Sequence, residues 1–513
     1  MRAVAFVPVR LTSTRLPEKH LKFIGDRTLF SWVISRLKAC RSLDEIVVCV
    51  PDEPESEKLK PLCDKEGVEL FIYEGDVNDV VGRLTTAAKR YDADICVLAS
   101  GDCPLLSPST IDMLVGFLKE HPDVDIAYIE PLNGKPPIHE GISVARRHVW
   151  ELADRYSDTP ELREHQFPVL GVYPEKFAHL KRAGLRDKEI FYRLKHRISV
   201  DTPRDLEFMN ECYRRLKEKG KEFTLENVIE LLQENPDLIK INAHVHQKGL
   251  HEKSYKVLFV VSAVGDYGYG NLVRSLEIAD RLVSMGVGVR FLVFDHEAKR
   301  MCEERAFHAE IIGELSELAS KAASYHMVIF DLNRNIALER GLVERIKEYG
   351  KIVVIDNTSP GALKADLVII PTAHYTGEDR DNLIWGPEYV VVSSDVMKAK
   401  NKNVPKRDVV LARVDEEHQD CVELLWKKVE FIRGFGRDFA ERIKGARLCV
   451  FHLGLSCYEA LYLGTPVEII PRTPEELPEI EAFYRFAHSG AICRLSDGAV
   501  KIAERLVSLL SAC

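Results

Sequence analysis

Short apolar runs alternate with longer stretches in which apolar residues recur every three or four positions. Residues 3–7, 45–50, 69–73, 94–99 and 125–129 are rich in Val, Ile, Leu, Phe and Ala, as strands buried on both faces are. Between them, 29–40, 78–91 and 108–120 carry the helical period. This alternation predicts an α/β domain over 1–243, with a doubly wound, mainly parallel sheet. A further helix is expected over 225–232, then a turn at Asn235-Pro236-Asp237 and a linker over 244–255. At Lys256 the pattern restarts. Strands are expected at 257–262, 289–293, 327–331, 352–355 and 367–370, with a helix over 272–285. A third set starts at 408–412 and includes 448–452. The second half therefore reads as two smaller α/β lobes, 256–395 and 406–513, joined through the Lys- and Asn-rich stretch 398–406.

Composition narrows the classes. A chain of 513 residues with 46% hydrophobic content is long enough for two to four cores. A net charge of −9 argues against general nucleic-acid binding. None of the 12 cysteines forms a C-x-x-C pair, and Cys49, Cys96 and Cys449 fall inside strand-like runs. That reads as reduced, buried thiols in a cytoplasmic protein. With no signal peptide and no long apolar span in the sequence, membrane insertion is not expected.

Local chemistry concentrates after the first strand. Pro8-Val9-Arg10-Leu11-Thr12-Ser13-Thr14-Arg15-Leu16-Pro17-Glu18-Lys19 places Arg10, Arg15 and Lys19 in a strand-to-helix loop with hydroxyls between them. Ligands of open α/β sheets sit at the carboxyl ends of the strands, where cations and free N–H groups suit a polyphosphate. Three cations alone favour the plainer reading, a solvated basic loop. After 94–99 comes Ser100-Gly101-Asp102-Cys103-Pro104, whose Asp102 is placed to hold a divalent cation against phosphate. In Val200-Asp201-Thr202-Pro203-Arg204-Asp205-Leu206, Asp201 is expected to end a strand. Thr202 caps a helix, Pro203 takes its first position and Asp205 closes a capping box. Asp201 by itself reads equally as local structure or as a ligand.

Together these segments resemble sugar cytidylyltransferases, most closely the spore-coat polysaccharide (SpsF-type) branch. The shared features are P-x-R-x-x-S-T-R-L-P-x-K, G-D-x-P and V-D-T-P-x-D-L, with Gly75–Arg83 and Leu162-Arg163-Glu164-His165 as branch-specific stretches. The resemblance implies that Arg10, Arg15 and Lys19 hold a triphosphate, with Pro8 and Ser13 in the same loop. It implies that Asp102 and Asp201 bind Mg2+, that Asp79 and Arg83 lie near the base, and that Arg163, Glu164 and His165 lie toward the sugar. The reaction implied is attack of a sugar hydroxyl on the α-phosphorus of CTP, with pyrophosphate leaving and an acidic, nonulosonate-like sugar as acceptor. Three positions depart from the pattern. Val9 replaces the usual Ala, Glu18 replaces a Gly beside the phosphate loop, and Ala145 stands where the branch has Glu on the sugar side.

The second half carries Gly265-Asp266-Tyr267-Gly268-Tyr269-Gly270-Asn271 before a helix that includes Arg274. It also carries Gly454-Leu455-Ser456-Cys457-Tyr458-Glu459 after a strand. Glycine-rich strand-to-helix loops are a weak sign of sugar-nucleotide binding. Glu459, on the first turn of its helix, would accept ribose hydroxyls or simply face the helix dipole. With Trp385–Val390 and Val354–Asn357, these residues resemble the sugar-nucleotide hydrolases of pseudaminic acid synthesis (PseG-type), relatives of two-lobed GT-B glycosyltransferases. That likeness implies a UDP- or CMP-sugar site at Gly268, Gly270, Asn271, Arg274, Ser456 and Glu459. The hydrolases carry His where this chain has Asn271, and Asn is no base near neutral pH. The half reads as a binding domain, with two alternatives: an active second enzyme, or a non-catalytic scaffolding module. A homo-oligomer is compatible with all three.

Overall fold

The computed structural model describes the chain except residues 14, 246–254, 263–268, 335, 373–374, 433–437, 490–494, 496–497 and 512–513. It contains two units, Met1–Lys253 and Ser254–Cys513. In the first, the apolar runs become strands of one seven-stranded sheet. The spatial order is Glu69–Tyr73, Glu45–Pro51, Ala3–Pro8, Ile95–Ala99, Ile142–Arg146, Ile126–Ile129, Arg182–Leu185. The first four are parallel. Ile142–Arg146 runs antiparallel to both of its neighbours, so the far side of the sheet is mixed. Strand order reverses at Ala3–Pro8. Successive connections leave that point in opposite directions and open a crevice at the carboxyl ends of Ala3–Pro8 and Ile95–Ala99.

One face of the sheet buries Val4, Phe6, Val47 and Cys49 under Leu84, Ala87, Ala88 and Trp150. Helix starts follow the local chemistry. Thr28, Ser107 and Thr202 each accept a hydrogen bond from the N–H three residues on. The expected turn at 235–237 instead opens a 3-10 helix, Pro236–Ile241, because Leu238 is drawn into the core. Of the expected linker, residues 246–254 lie outside the described part.

The second unit holds two sheets, parallel throughout. The larger has the order Ala309–Ile311, Gly288–Val293, Lys256–Val261, Met327–Asp331, Lys351–Ile355, Leu367–Ile370, Leu383–Trp385. The smaller has the order Val429–Phe431, Val410–Arg413, Leu448–Phe451, Val467–Ile469. Each reverses at its first strand. The sequence does not split into two consecutive lobes, however. Helix Ser394–Lys400 begins in the expected first lobe and runs into the expected connection, and Val396 and Ala399 pack on the smaller sheet. The last helix, Gly498–Ser511, returns to the larger sheet through Ala499, Ile502, Ala503, Leu506 and Leu510, an apolar stripe of helical spacing. Among the described residues, no helix is long and apolar enough to cross a membrane.

Candidate active site

The crevice of the first unit gathers the loop after Ala3–Pro8, the loop after Ile95–Ala99 and the segment before helix Pro203–Glu218. Lys19 sits at its centre. Its Nζ donates to Asp102 Oδ2 at 2.9 Å and to Asp201 Oδ1 at 2.7 Å. Burial by itself would favour a neutral lysine, but the two carboxylates hold its pKa above the ordinary value. Conversely, burial would raise both carboxyls, and Lys19 holds each below the usual range, with Arg15 and Arg197 adding to the effect on Asp201. All three groups are therefore charged at neutral pH.

The backbone explains why these side chains converge. Gly101 is needed because a Cβ there would come within 2.8 Å of the Pro8 carbonyl. His20 Nδ1 lies 3.0 Å from the Gly101 carbonyl. Burial, then Lys19, lowers the His20 pKa to about 3, so the neutral ring donates this bond and fixes the turn that carries Asp102. Ser100 Oγ donates to Asp102 Oδ1 at 2.6 Å. Asp201 does not end a strand, contrary to the expectation: residues 200–202 lie in an irregular segment. Val200 N–H donates to the Asp102 carbonyl at 2.9 Å, which ties the two acidic segments together. The expected capping box forms, and Asp205 Oδ2 also accepts from the N–H groups of Asp201 and Thr202. The helix cap thus aims Asp201.

The other expected residues divide. Arg15 Nη2 lies 3.5 Å from Asp201 Oδ2, while its Nη1 is buried with no partner. Arg10 donates to Asn78 Oδ1 at 2.8 Å, bridging the loops after the first and third strands. Pro8 ends the first strand, and Ser13 Oγ accepts the Leu16 N–H at 3.4 Å, a local turn bond. Asp79 caps helix Val80–Arg90 through Gly82 N–H and pairs with Arg163 at 2.8 Å. The base-side and sugar-side expectations for these two residues therefore meet in one ion pair. Arg83 is 1% exposed and donates to the Val77 carbonyl, with Nε unpartnered, so it braces the loop from below. Glu164 and His165 are exposed. Glu18 turns away from the crevice to Lys58, and its φ of 51° explains why glycine is usual there.

Several site residues escaped the sequence. Arg197 donates to Asp201 and Asp205. Its place four residues before Asp201, in an acidic motif, was the available signal. Ala145 is fully buried in its strand and contributes no polar group. A different carboxylate is present: Glu140 accepts from Ile198 N–H at 3.3 Å, and burial raises its pKa despite Ser199 and Arg197. Nothing around Glu140 in the sequence marked it.

The donor set suits a divalent cation. Two ionised carboxylates converge on one point, and a cation, the Lys19 ammonium, sits there. The orphaned Arg15 Nη1 asks for an anion alongside. Asp102 and Asp201 are the residues that would hold such an ion, and Arg15 and Lys19 would be the cations available to its anionic partner.

In the second unit, Gly270 opens helix Gly270–Ser284, and Gly268 lies outside the described residues. Asn271 Oδ1 accepts from Arg274. Arg274 is buried and grips Asp331 and Asp356 at the carboxyl ends of their strands. Ser456 is half-buried on helix Leu455–Leu463. Glu459 is on the second turn of that helix, not the first. It is 1% exposed, and Oε1 accepts from Ser393 Oγ at 2.5 Å, so its carboxylate braces the chain crossing between the sheets. A cavity of about 350 Å³, lined by Arg334, Asp356, Thr358, Ser359, Tyr375 and Glu479 among others, opens at the carboxyl edge of the larger sheet.

A reversed α/β sheet whose switch point combines an acidic pair with three basic side chains defines a nucleotide-handling enzyme of the first unit. The cytidylyltransferase family profile matches residues 4–243. A 193-residue stretch is 30% identical to the 3-deoxy-manno-octulosonate cytidylyltransferase of Acinetobacter baumannii, covering 34% of this chain and 75% of that one. The chain belongs to the cytidylyltransferase family through this unit, and it is a nucleotidyltransferase. It is also 28% identical over 263 residues to an uncharacterized protein of Methanocaldococcus jannaschii, covering 49% of this chain and 99% of that protein. The spore coat polysaccharide biosynthesis protein SpsF of Bacillus subtilis is 23% identical over 240 residues, 45% of this chain and 94% of that one.

Proposed function

We propose that the first unit transfers CMP from CTP to a hydroxyl of an acidic, nonulosonate-like sugar, releasing pyrophosphate, and that the product serves surface polysaccharide or glycan synthesis. The observation that carries this reading is Lys19 poised between Asp102 and Asp201 beside the unpaired Arg15 Nη1. Arg10, Arg15 and Lys19 hold the triphosphate, and His20 and the capping box keep the two carboxylates in register. Such transfer depends on positioning and charge neutralisation rather than on covalent catalysis. Mg2+, when bound by Asp102 and Asp201, neutralises phosphate charge and acidifies the attacking hydroxyl. The named relatives support the choice of sugar class, since one acts on 3-deoxy-manno-octulosonate and another belongs to spore-coat polysaccharide synthesis. The test is a screen of CTP with acidic sugars, read by pyrophosphate release. Asp102→Ala is expected to lose about a hundredfold or more in turnover. Wild-type turnover in that variant would overturn the assignment.

For residues 256–513 we read a GT-B-like, PseG-type domain that binds a sugar nucleotide. Two reversed parallel sheets and the cavity beside Arg334 support this. Hydrolysis is not expected, because Asn271 replaces the base and is engaged with Arg274. Hydrolysis of UDP- or CMP-sugars by the whole chain, abolished by Asn271→Ala, would favour the bifunctional reading instead.

A further inference from the structure

The smaller sheet of the second unit has its own switch point, between Val410–Arg413 and Leu448–Phe451. Three side chains with metal-ligating atoms meet there: Asp415, just beyond the first strand; His418, on the first turn of helix Glu416–Leu425; and His452, directly after the second strand. One ligand atom from each lies within 4.8 Å of the others. We propose that Asp415, His418 and His452 form a binding site for a divalent transition metal of the zinc class.

The geometry supports this in three ways. His452 Nε2 and Asp415 Oδ2 are 3.3 Å apart, the separation of two ligands about 2 Å from a tetrahedral ion. The other ring nitrogen, His452 Nδ1, is 2.7 Å from the Ile470 carbonyl, an outer contact that fixes the tautomer and aims Nε2. Finally, His418 Nδ1 is buried without a hydrogen-bond partner, its nearest carboxylate oxygen being Glu417 Oε1 at 3.7 Å. Two imidazoles and one carboxylate select zinc-like ions over Mg2+ or Ca2+. Three protein ligands leave a position open for water or a phosphate oxygen.

Without metal, the cluster satisfies itself in part. Asp415 N–H donates to His452 Nε2 at 3.0 Å, and Arg472 Nε donates to Asp415 Oδ2 at 3.0 Å. Arg472 supplies the positive charge that an ion would bring. Metal entry exchanges both bonds, and Asp415, 39% exposed, provides the way in.

The test is titration of the chelator-stripped full chain with Co2+, followed by visible absorption, with Zn2+ bound after dialysis as a second readout. An intense four- or five-coordinate Co2+ spectrum at one equivalent per chain is expected. It should persist in Asp102→Ala, which breaks the carboxylate pair of the first unit, and be lost in His418→Ala. The partly exposed His418 makes that variant tolerable to the fold, and His452→Gln with retained circular dichroism provides a second check. Absence of stoichiometric binding, a spectrum unchanged by His418→Ala, or one abolished by Asp102→Ala overturns the proposal.

Discussion

Glu18 shows how a single residue records the demands of its loop. Its backbone is left-handed, with φ 51°, and its N–H closes the loop onto the Leu11 carbonyl. A non-glycine residue there costs about 1 kcal/mol. The exposed pair with Lys58 returns at most about 1 kcal/mol. Glu18→Gly is therefore expected to leave the first unit as stable as before or more stable by up to about 1 kcal/mol, with CTP turnover unchanged. Thermal unfolding and a steady-state assay check both, and a fall in turnover would mean that Glu18 contributes to the site. Lys19 is the opposite case. Lys19→Met removes the cation between Asp102 and Asp201 and leaves two half-buried like charges facing each other. The expected result is a large loss of turnover, together with a first-unit stability that Mg2+ restores in part. A variant that gains nothing from Mg2+ would argue against a metal at this carboxylate pair.

At the scale of elements, the cap of helix Pro203–Glu218 links folding to chemistry. Asp205 accepts from Thr202 and from the N–H of Asp201, so loosening the cap loosens a site carboxylate. Thr202→Ala is expected to cost about 1 kcal/mol in the first unit and to lower kcat more than it raises the KM for CTP. An unchanged kcat would separate the cap from the site. This cap was legible in the sequence because Thr-Pro-x-Asp is a local signal. The parallel strands were legible because strands buried on both faces read as continuous apolar runs, as 3–7 and 45–50 do. The antiparallel strand Ile142–Arg146 was not, since pairing direction depends on where the chain returns. Arg10, Arg15, Lys19, Asp102 and Asp201 were found from motifs, and the last three with Arg15 meet in space. Glu140, His20 and the bracing role of Glu459 depend on tertiary neighbours far away in sequence, so no local pattern reveals them.

At the scale of the whole molecule, each unit is expected to report its own transition. CTP should raise the first-unit transition more than ATP or GTP at equal concentration, since a ligand at about a hundred times its Kd stabilises by about 2.7 kcal/mol. Equal protection by GTP would contradict cytidylyl selectivity. The second unit carries an internal pH signal instead. Glu459 and Glu277, both nearly fully buried, accept hydrogen bonds from the adjacent residues Ser393 and Ser394, where the chain passes between the two sheets. Burial, with Glu277 adding to it, raises the Glu459 pKa from 4.5 to about 7. The folded unit therefore keeps this proton to a higher pH than the unfolded chain does. Its contribution is fully present below pH 4.5 and is lost as the pH rises through about 7, a change of about 3 kcal/mol. Gln at this position can still accept from Ser393 and has no charge to bury. Glu459→Gln should thus match the wild type near about pH 5 and exceed it by about 3 kcal/mol at alkaline pH. Calorimetry of the full chain across this range tests it: a difference between the two proteins that does not grow with pH would show that the Glu459 carboxyl is already ionised in the folded unit.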